Sequence, residues 1–152
     1  MSKPVLFLRI ASVLTLIHAV LHTVGGVFSG PDPGPGTVAY EAMKVNQFML
    51  MGNMRSYWEF YRGMGLAVSI FLTFEAVVFW QLCALAKTDA KRLRPVLAPF
   101  VVAYLAMAVN SQMYFFLAPV IVETIIAVLL VLAITTAKAS AAPAVASAST
   151  RA

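Results

Sequence analysis

The sequence predicts an all-α, transmembrane up-and-down four-helix bundle with a short outer-face amphipathic helix. Three observations predict it. The chain of 152 residues is 61% hydrophobic and only 11% charged, against about 25% charged in an ordinary soluble domain, so it cannot supply the polar coat that a water-exposed core needs. Its apolar residues fall in long runs, and a hydrocarbon core about 30 Å thick takes about 20 residues of helix. Its basic residues sit at the ends of those runs. That pattern orients a membrane protein, and it argues against nucleic acid as the partner of the +5 net charge.

The first run, 5–28, is long enough to span with some tilt. Arg9, His18 and His22 interrupt it and no clear A-x-A site follows, so it reads as a retained span and not as a cleaved signal peptide. It stops at Ser29-Gly30-Pro31-Asp32-Pro33-Gly34-Pro35-Gly36, which cannot continue a helix. In the outer segment 29–56, Thr37 to Met54 reads as an amphipathic surface helix. Val38, Ala42, Val45 and Met49 share a stripe that excludes Glu41, Lys44 and Gln47.

Tyr57 and Trp58 mark the interface at the start of span two, 57–86. A polar connection, Lys87 to Arg94, follows. From Pro95 to Ala137 the chain is apolar for too long to cross once. The expected fold-back is at Pro119, giving antiparallel spans at 95–117 and 119–137. Residues 1–137 form one transmembrane domain, and 138–152, rich in Ala, Ser and Pro, reads as a disordered cytoplasmic tail.

Orientation follows from the basic residues. Lys3, Lys87, Lys91, Arg92, Arg94, Lys138 and Arg151 fall on one side, and Lys44 and Arg55 on the other. The expectation is a multi-pass protein of the cell inner membrane with both termini cytoplasmic and segment 29–56 outside.

Ionisable groups at bilayer depth cost about 2.5–3.5 kcal/mol each on insertion scales, so they pair or serve a site. With this orientation, His18 and His22 of span one, Glu59 and Arg62 of span two, Asn110 and Gln112 of span three and Glu123 of span four all reach the outer layer. Their expected convergence marks a ligand-binding pocket, with a network of hydrogen bonds between helices as the structural alternative. Glu123 has no basic neighbour on its own helix and needs Arg62, a histidine or a proton to remain buried. Arg9 and Glu75 lie in the inner half, and Glu75 is turned roughly 160° from Glu59 at 100° per residue. They are the expected structural ion pair between spans one and two.

The residues point to no particular cofactor. His18 and His22, at i and i+4, could share a metal, but two ligands make a weak motif, and no metal site is favoured. Two histidines on one helix face cannot supply a bis-histidine haem. Met43, Met49, Met51, Met54 and Met64 cluster on the outer side. Thioethers are soft ligands that select Cu(I), and methionine is also an adaptable apolar filler. The single cysteine, Cys83, excludes an internal disulfide.

The stretch Arg55-Ser56-Tyr57-Trp58-Glu59-Phe60-Tyr61-Arg62-Gly63-Met64-Gly65-Leu66, with His22-Thr23-Val24-Gly25-Gly26, resembles segments of small bacterial four-helix inner-membrane proteins that are DoxX-like in size and span number. The resemblance implies an up-and-down bundle and carries over no activity and no site residue. The leading expectation is a small-molecule or lipid-binding accessory protein whose partners are the bilayer and a small hydrophobic ligand or lipid. A membrane enzyme acting on a lipid-soluble substrate, a structural subunit of a larger complex or oligomer, and a metal-handling protein are the alternatives.

Overall fold

The computed structural model describes residues 2–31 and 33–137; the expected tail, 138–152, lies outside them. The elements run α1 Lys3–Leu21, a π-helical turn His22–Val27, α2 Pro35–Val45, β1 Gln47–Leu50, β2 Asn53–Ser56, α3 Tyr57–Thr88, α4 Ala90–Tyr114 and α5 Leu117–Thr136. Among the described residues four helices are long and apolar enough to cross a membrane, over Lys3–Val27, Tyr57–Thr88, Arg92–Tyr114 and Leu117–Thr136. The chain is a multi-pass membrane protein of the all-α class.

Helix boundaries follow local chemistry. Ser56 and Glu59 form a reciprocal capping box at the start of α3: the Glu59 amide donates to Ser56 Oγ at 3.1 Å, and the Ser56 amide donates to Glu59 Oε2 at 2.8 Å. Asp89 interrupts the chain between α3 and α4, and its carboxylate accepts from the Arg92 amide at 3.4 Å. The connection expected at 87–94 is therefore mostly helical, with Pro95 and Pro99 inside α4. The fold-back is at Phe115 and Phe116, so Pro119 lies in the first turn of α5 and not at the bend. That turn has no need of the proline's missing N–H.

The expected surface helix is shorter than the apolar stripe suggests. Helix α2 stops at Val45, and residues 47–56 form an antiparallel hairpin instead. Its two-residue turn, Met51-Gly52, has φ of 47° and 85°, the positive pair that twists strands into a tight hairpin. On α2 the Glu41 carboxylate, hydrogen-bonded at 3.0 Å, holds the Lys44 ammonium above its ordinary pKa. The support this pair gives α2 is full below the usual lysine value of about 10.4 and fades as pH rises through the raised one.

Helix α3 packs along α1, α1 along α5, and α5 along α4, while α3 and α4 touch more sparsely. One end of the bundle is identified by Cys83 beside the Val5 carbonyl and by the Arg94 guanidinium, which donates to the Ala137 carbonyl at 3.0 Å. Arg94 thereby satisfies a carbonyl just past the end of α5. The apolar core lies toward this end: Val5, Leu8 and Ala11 of α1, Phe79, Cys83 and Ala86 of α3, Leu93 and Leu97 of α4, and Leu130 and Ala133 of α5. Phe79 meets Phe100 and Tyr104 edge-on and tilted, at 5.2 and 6.1 Å between ring centroids. The buried positions toward the hairpin end include Ser69, Ser111 and Glu123.

The π turn closes against α3 where α3 is thinnest. A Cβ built on Gly65 would stand 2.9 Å from Val27 Cγ2, and Val27 is buried and stiff at χ1. Gly65→Ala is expected to lower stability to unfolding in detergent by about 1–3 kcal/mol. Gly63→Ala, where nothing lies within 4 Å, should leave stability equal or slightly raised.

Candidate functional site

The polar residues of the spans form two groups and a separate pair, Ser111 with Glu123. The deeper group centres on Tyr104, which is fully buried on α4. Its hydroxyl donates to Glu75 Oε2 of α3 at 2.7 Å and lies 3.3 Å from Thr15 Oγ1 of α1. A phenol has one O–H to donate; with that hydrogen bond directed at Glu75, Thr15 is the donor to the Tyr104 oxygen. One turn from Thr15, Ser12 Oγ donates to the Ala76 carbonyl at 2.7 Å.

These bonds set the register of α1 against α3 and correct the expected Arg9–Glu75 ion pair. Ser12 lies opposite Ala76, so Arg9 stands nearly a turn farther along, and its guanidinium rests 5.4 Å from the centre of the Trp80 ring. Among the described residues the ion pairs are Glu41–Lys44 and Asp89–Arg92. Glu75 is held by the phenol of Tyr104.

Toward the hairpin end, Ser111 Oγ of α4 donates to Glu123 Oε1 of α5 at 3.1 Å. Glu123 is 2% exposed, and its Oε2 has no hydrogen-bond partner among the described residues. Asn110 and Gln112, expected to face the interior, are exposed on either side of the buried Ser111. A helix turns about 100° per residue, so seating Ser111 inside swings both neighbours outward.

The second group surrounds the π turn. A carbonyl only accepts, so His22 Nε2, 3.1 Å from the Gly65 carbonyl, carries the proton and donates. This bond ties the turn to α3 beside the close approach of Val27. The guanidinium of Arg62 lies 4.6 Å from the centre of the Phe28 ring, just past the same turn. His18 is half-buried, and its Nδ1 has no partner among the described residues. Glu59, expected to face a pocket, is exposed and engaged in the capping box. Of the seven residues expected to converge, His22 and Arg62 therefore border the π turn, His18 lies one helical turn before it, Glu123 belongs to the α4–α5 pair, and Glu59, Asn110 and Gln112 point elsewhere. Among the described residues no three His, Cys, Asp or Glu side chains approach closely enough to hold a metal.

Below the π turn a groove of about 500 Å³ opens along α3, lined by Thr23 of the turn and by Leu66, Ser69, Ile70, Thr73, Phe74 and Val77. Its hydroxyls are already committed to their own helices: Thr23 donates to the Ala19 carbonyl, Ser69 to Gly65 and Thr73 to Ser69. The groove therefore presents an apolar wall.

Sequence reasoning missed Tyr104, Thr15 as its partner, and Ser111. A tyrosine in the middle of an apolar span was the available signal, because a buried phenol needs a partner. Tyr104→Phe is expected to cost about 1 kcal/mol, read as a lower unfolding midpoint in detergent, and to leave Glu75 without its donor. Glu75→Gln should cost less, since an amide still accepts from the phenol. Comparison with known proteins finds no matching family model, no matching curated protein and no matching solved structure.

Proposed function

We propose that this is a lipid-binding accessory protein of the bacterial inner membrane, with both termini cytoplasmic, that holds one anionic phospholipid of the outer leaflet against α3. The supporting observation is the apolar groove below the π turn, with a half-buried arginine one helical turn beyond its end. Leu66 to Val77 spans eleven residue steps, about 16 Å at 1.5 Å per residue, close to half of a 30 Å hydrocarbon core. That length suits one acyl chain.

Arg62 precedes Leu66 by four residues and so stands on the same side of α3. Its contact with Phe28 orients the guanidinium and leaves its donors for a phosphate, which a guanidinium binds in a bidentate way. His22 holds the π turn, and with it Thr23, in place. Glycine pairs and π turns often mark such openings in membrane helices.

Native mass spectrometry of the protein in mild detergent, with equal phosphatidylglycerol and phosphatidylcholine, tests this reading. The wild type should retain phosphatidylglycerol preferentially. Arg62→Ala should lose that preference by about fivefold, equivalent to about 1 kcal/mol per basic residue at a lipid headgroup. Ile70→Trp, which fills the groove, should lower retention of both lipids. Equal retention of the two lipids by the wild type and by Arg62→Ala would overturn the proposal.

The buried and unpartnered Glu123 Oε2 favours a second reading, an enzyme in which Glu123 exchanges a proton with a lipid-soluble substrate. Under that reading Glu123→Gln abolishes turnover while phosphatidylglycerol retention stays unchanged.

A further inference from the structure

The geometry points to a soft-metal site on the hairpin: Met49, Met54 and Met51 together form a thioether site for one monovalent soft cation, Cu(I) or its redox-inert surrogate Ag(I). The site is independent of the groove and of the lipid proposed to fill it.

Strand register carries the argument. Met49 and Met54 are cross-strand partners, one step from the Leu50–Asn53 pair that closes the two-residue turn. In such a hairpin the closing pair exchanges hydrogen bonds and the next pair does not, and non-bonded partners bring their side chains closest. Two flexible thioethers therefore leave the same face side by side. Met51 lies in the turn that joins the two strands, immediately beyond this pair, and is 95% exposed.

The opposite face of the hairpin belongs to the fold. Phe48 packs against Tyr57 and Phe60 of α3, at 4.8 and 5.8 Å between ring centroids. The methionine face looks away from these contacts, with Met49 at 63% and Met54 at 49% exposure. None of the three thioethers is needed to fill the core.

Chemistry selects the ligand. Thioethers are neutral, soft donors that favour Cu(I) over hard or borderline ions. No carboxylate lies on the hairpin: Glu41 is paired with Lys44, and Glu59 serves the helix cap. Arg55, on the Phe48 face, donates to the Met54 carbonyl and adds positive charge nearby. A divalent cation held by carboxylates has no place here. The turn also places methionine at φ 47°, where Asn, Asp or Gly is the usual occupant, so turn geometry alone does not account for Met51.

The test is calorimetric titration and native mass spectrometry of the full chain in detergent, with Ag(I) and with Cu(I) supplied as its acetonitrile complex under ascorbate. One ion per chain is expected. The Met49→Leu/Met51→Leu/Met54→Leu variant keeps apolar bulk and should lose that uptake, while Met43→Leu/Met64→Leu and Cys83→Ala should keep it. No uptake by the wild type, undiminished uptake by the triple leucine variant, or equal competition by Zn(II) would each overturn the site. A lipid contact is the other use of an apolar tip. If a dye on Met51→Cys in the Cys83→Ala background is quenched by brominated lipid, and the wild type takes up no Ag(I), the hairpin is an interfacial anchor and the metal site is refuted.

Discussion

The hydroxyl of Tyr104 joins three helices at one oxygen. It donates a hydrogen bond to Glu75 on α3 and accepts one from Thr15 on α1, while its ring packs on Phe79. Hydrocarbon offers no water to satisfy a stranded donor or acceptor, so each partner constrains the other two. Packing between apolar surfaces has little to drive it in lipid, where tails are as apolar as leucine. Directional bonds such as this one, with Ser12 on the Ala76 carbonyl, are what select one register among many of similar packing.

That register decides the fate of the remaining polar groups. With Ser12 opposite Ala76, Arg9 rests over Trp80, and Glu75 is held by Tyr104. Farther along the same contact, His22 reaches the Gly65 carbonyl, and Val27 closes on the bare backbone of Gly65. The widened π turn adjusts the path of α1 so that its last residues stay against α3 while Phe28 comes under Arg62. A regular continuation of α1 would rotate those side chains by a different angle.

The architecture was legible in the sequence because it rests on bulk properties. Run length and the polar breaks at Ser29–Gly36 and Lys87–Arg94 are enough to count four helices, and the structure has four of sufficient length and hydropathy. The site was less legible, because depth along a helix is readable from sequence and rotation about its axis is weakly so in a membrane. Asn110, Ser111 and Gln112 are equal candidates by depth, and the smallest and least polar of them is the one inside. Glu59 was legible as spoken for, since Ser56 stands just before the span at the Ser-x-x-Glu spacing of a capping box, but the depth it shares with the other polar groups outweighed that signal. The hairpin escaped because Val38, Ala42, Val45 and Met49 fit a helical stripe, while Met51-Gly52 is an inconspicuous turn pair beside Asn-Gly or Asp-Gly. Tyr104 was overlooked because an aromatic residue is grouped with the hydrophobic ones in the composition, although its one oxygen bonds to two other helices.

The two ends of the bundle differ in kind, and the difference follows from where the apolar volume lies. Near the Asp89 turn, Leu, Phe and Ala side chains from all four helices fill the interior, and Arg94 closes the end of α5. Such packing tolerates little movement without opening voids. Toward the hairpin the buried set includes Ser69, Ser111 and Glu123, α1 ends in a π turn, and a groove opens along α3. Small hydroxyls occupy less space than leucine, and Ser69 and Ser111 are each engaged by a directional bond. A bundle built this way is held by apolar packing at one end and by single polar contacts at the other. The groove, Arg62 and the methionine hairpin all belong to this second end.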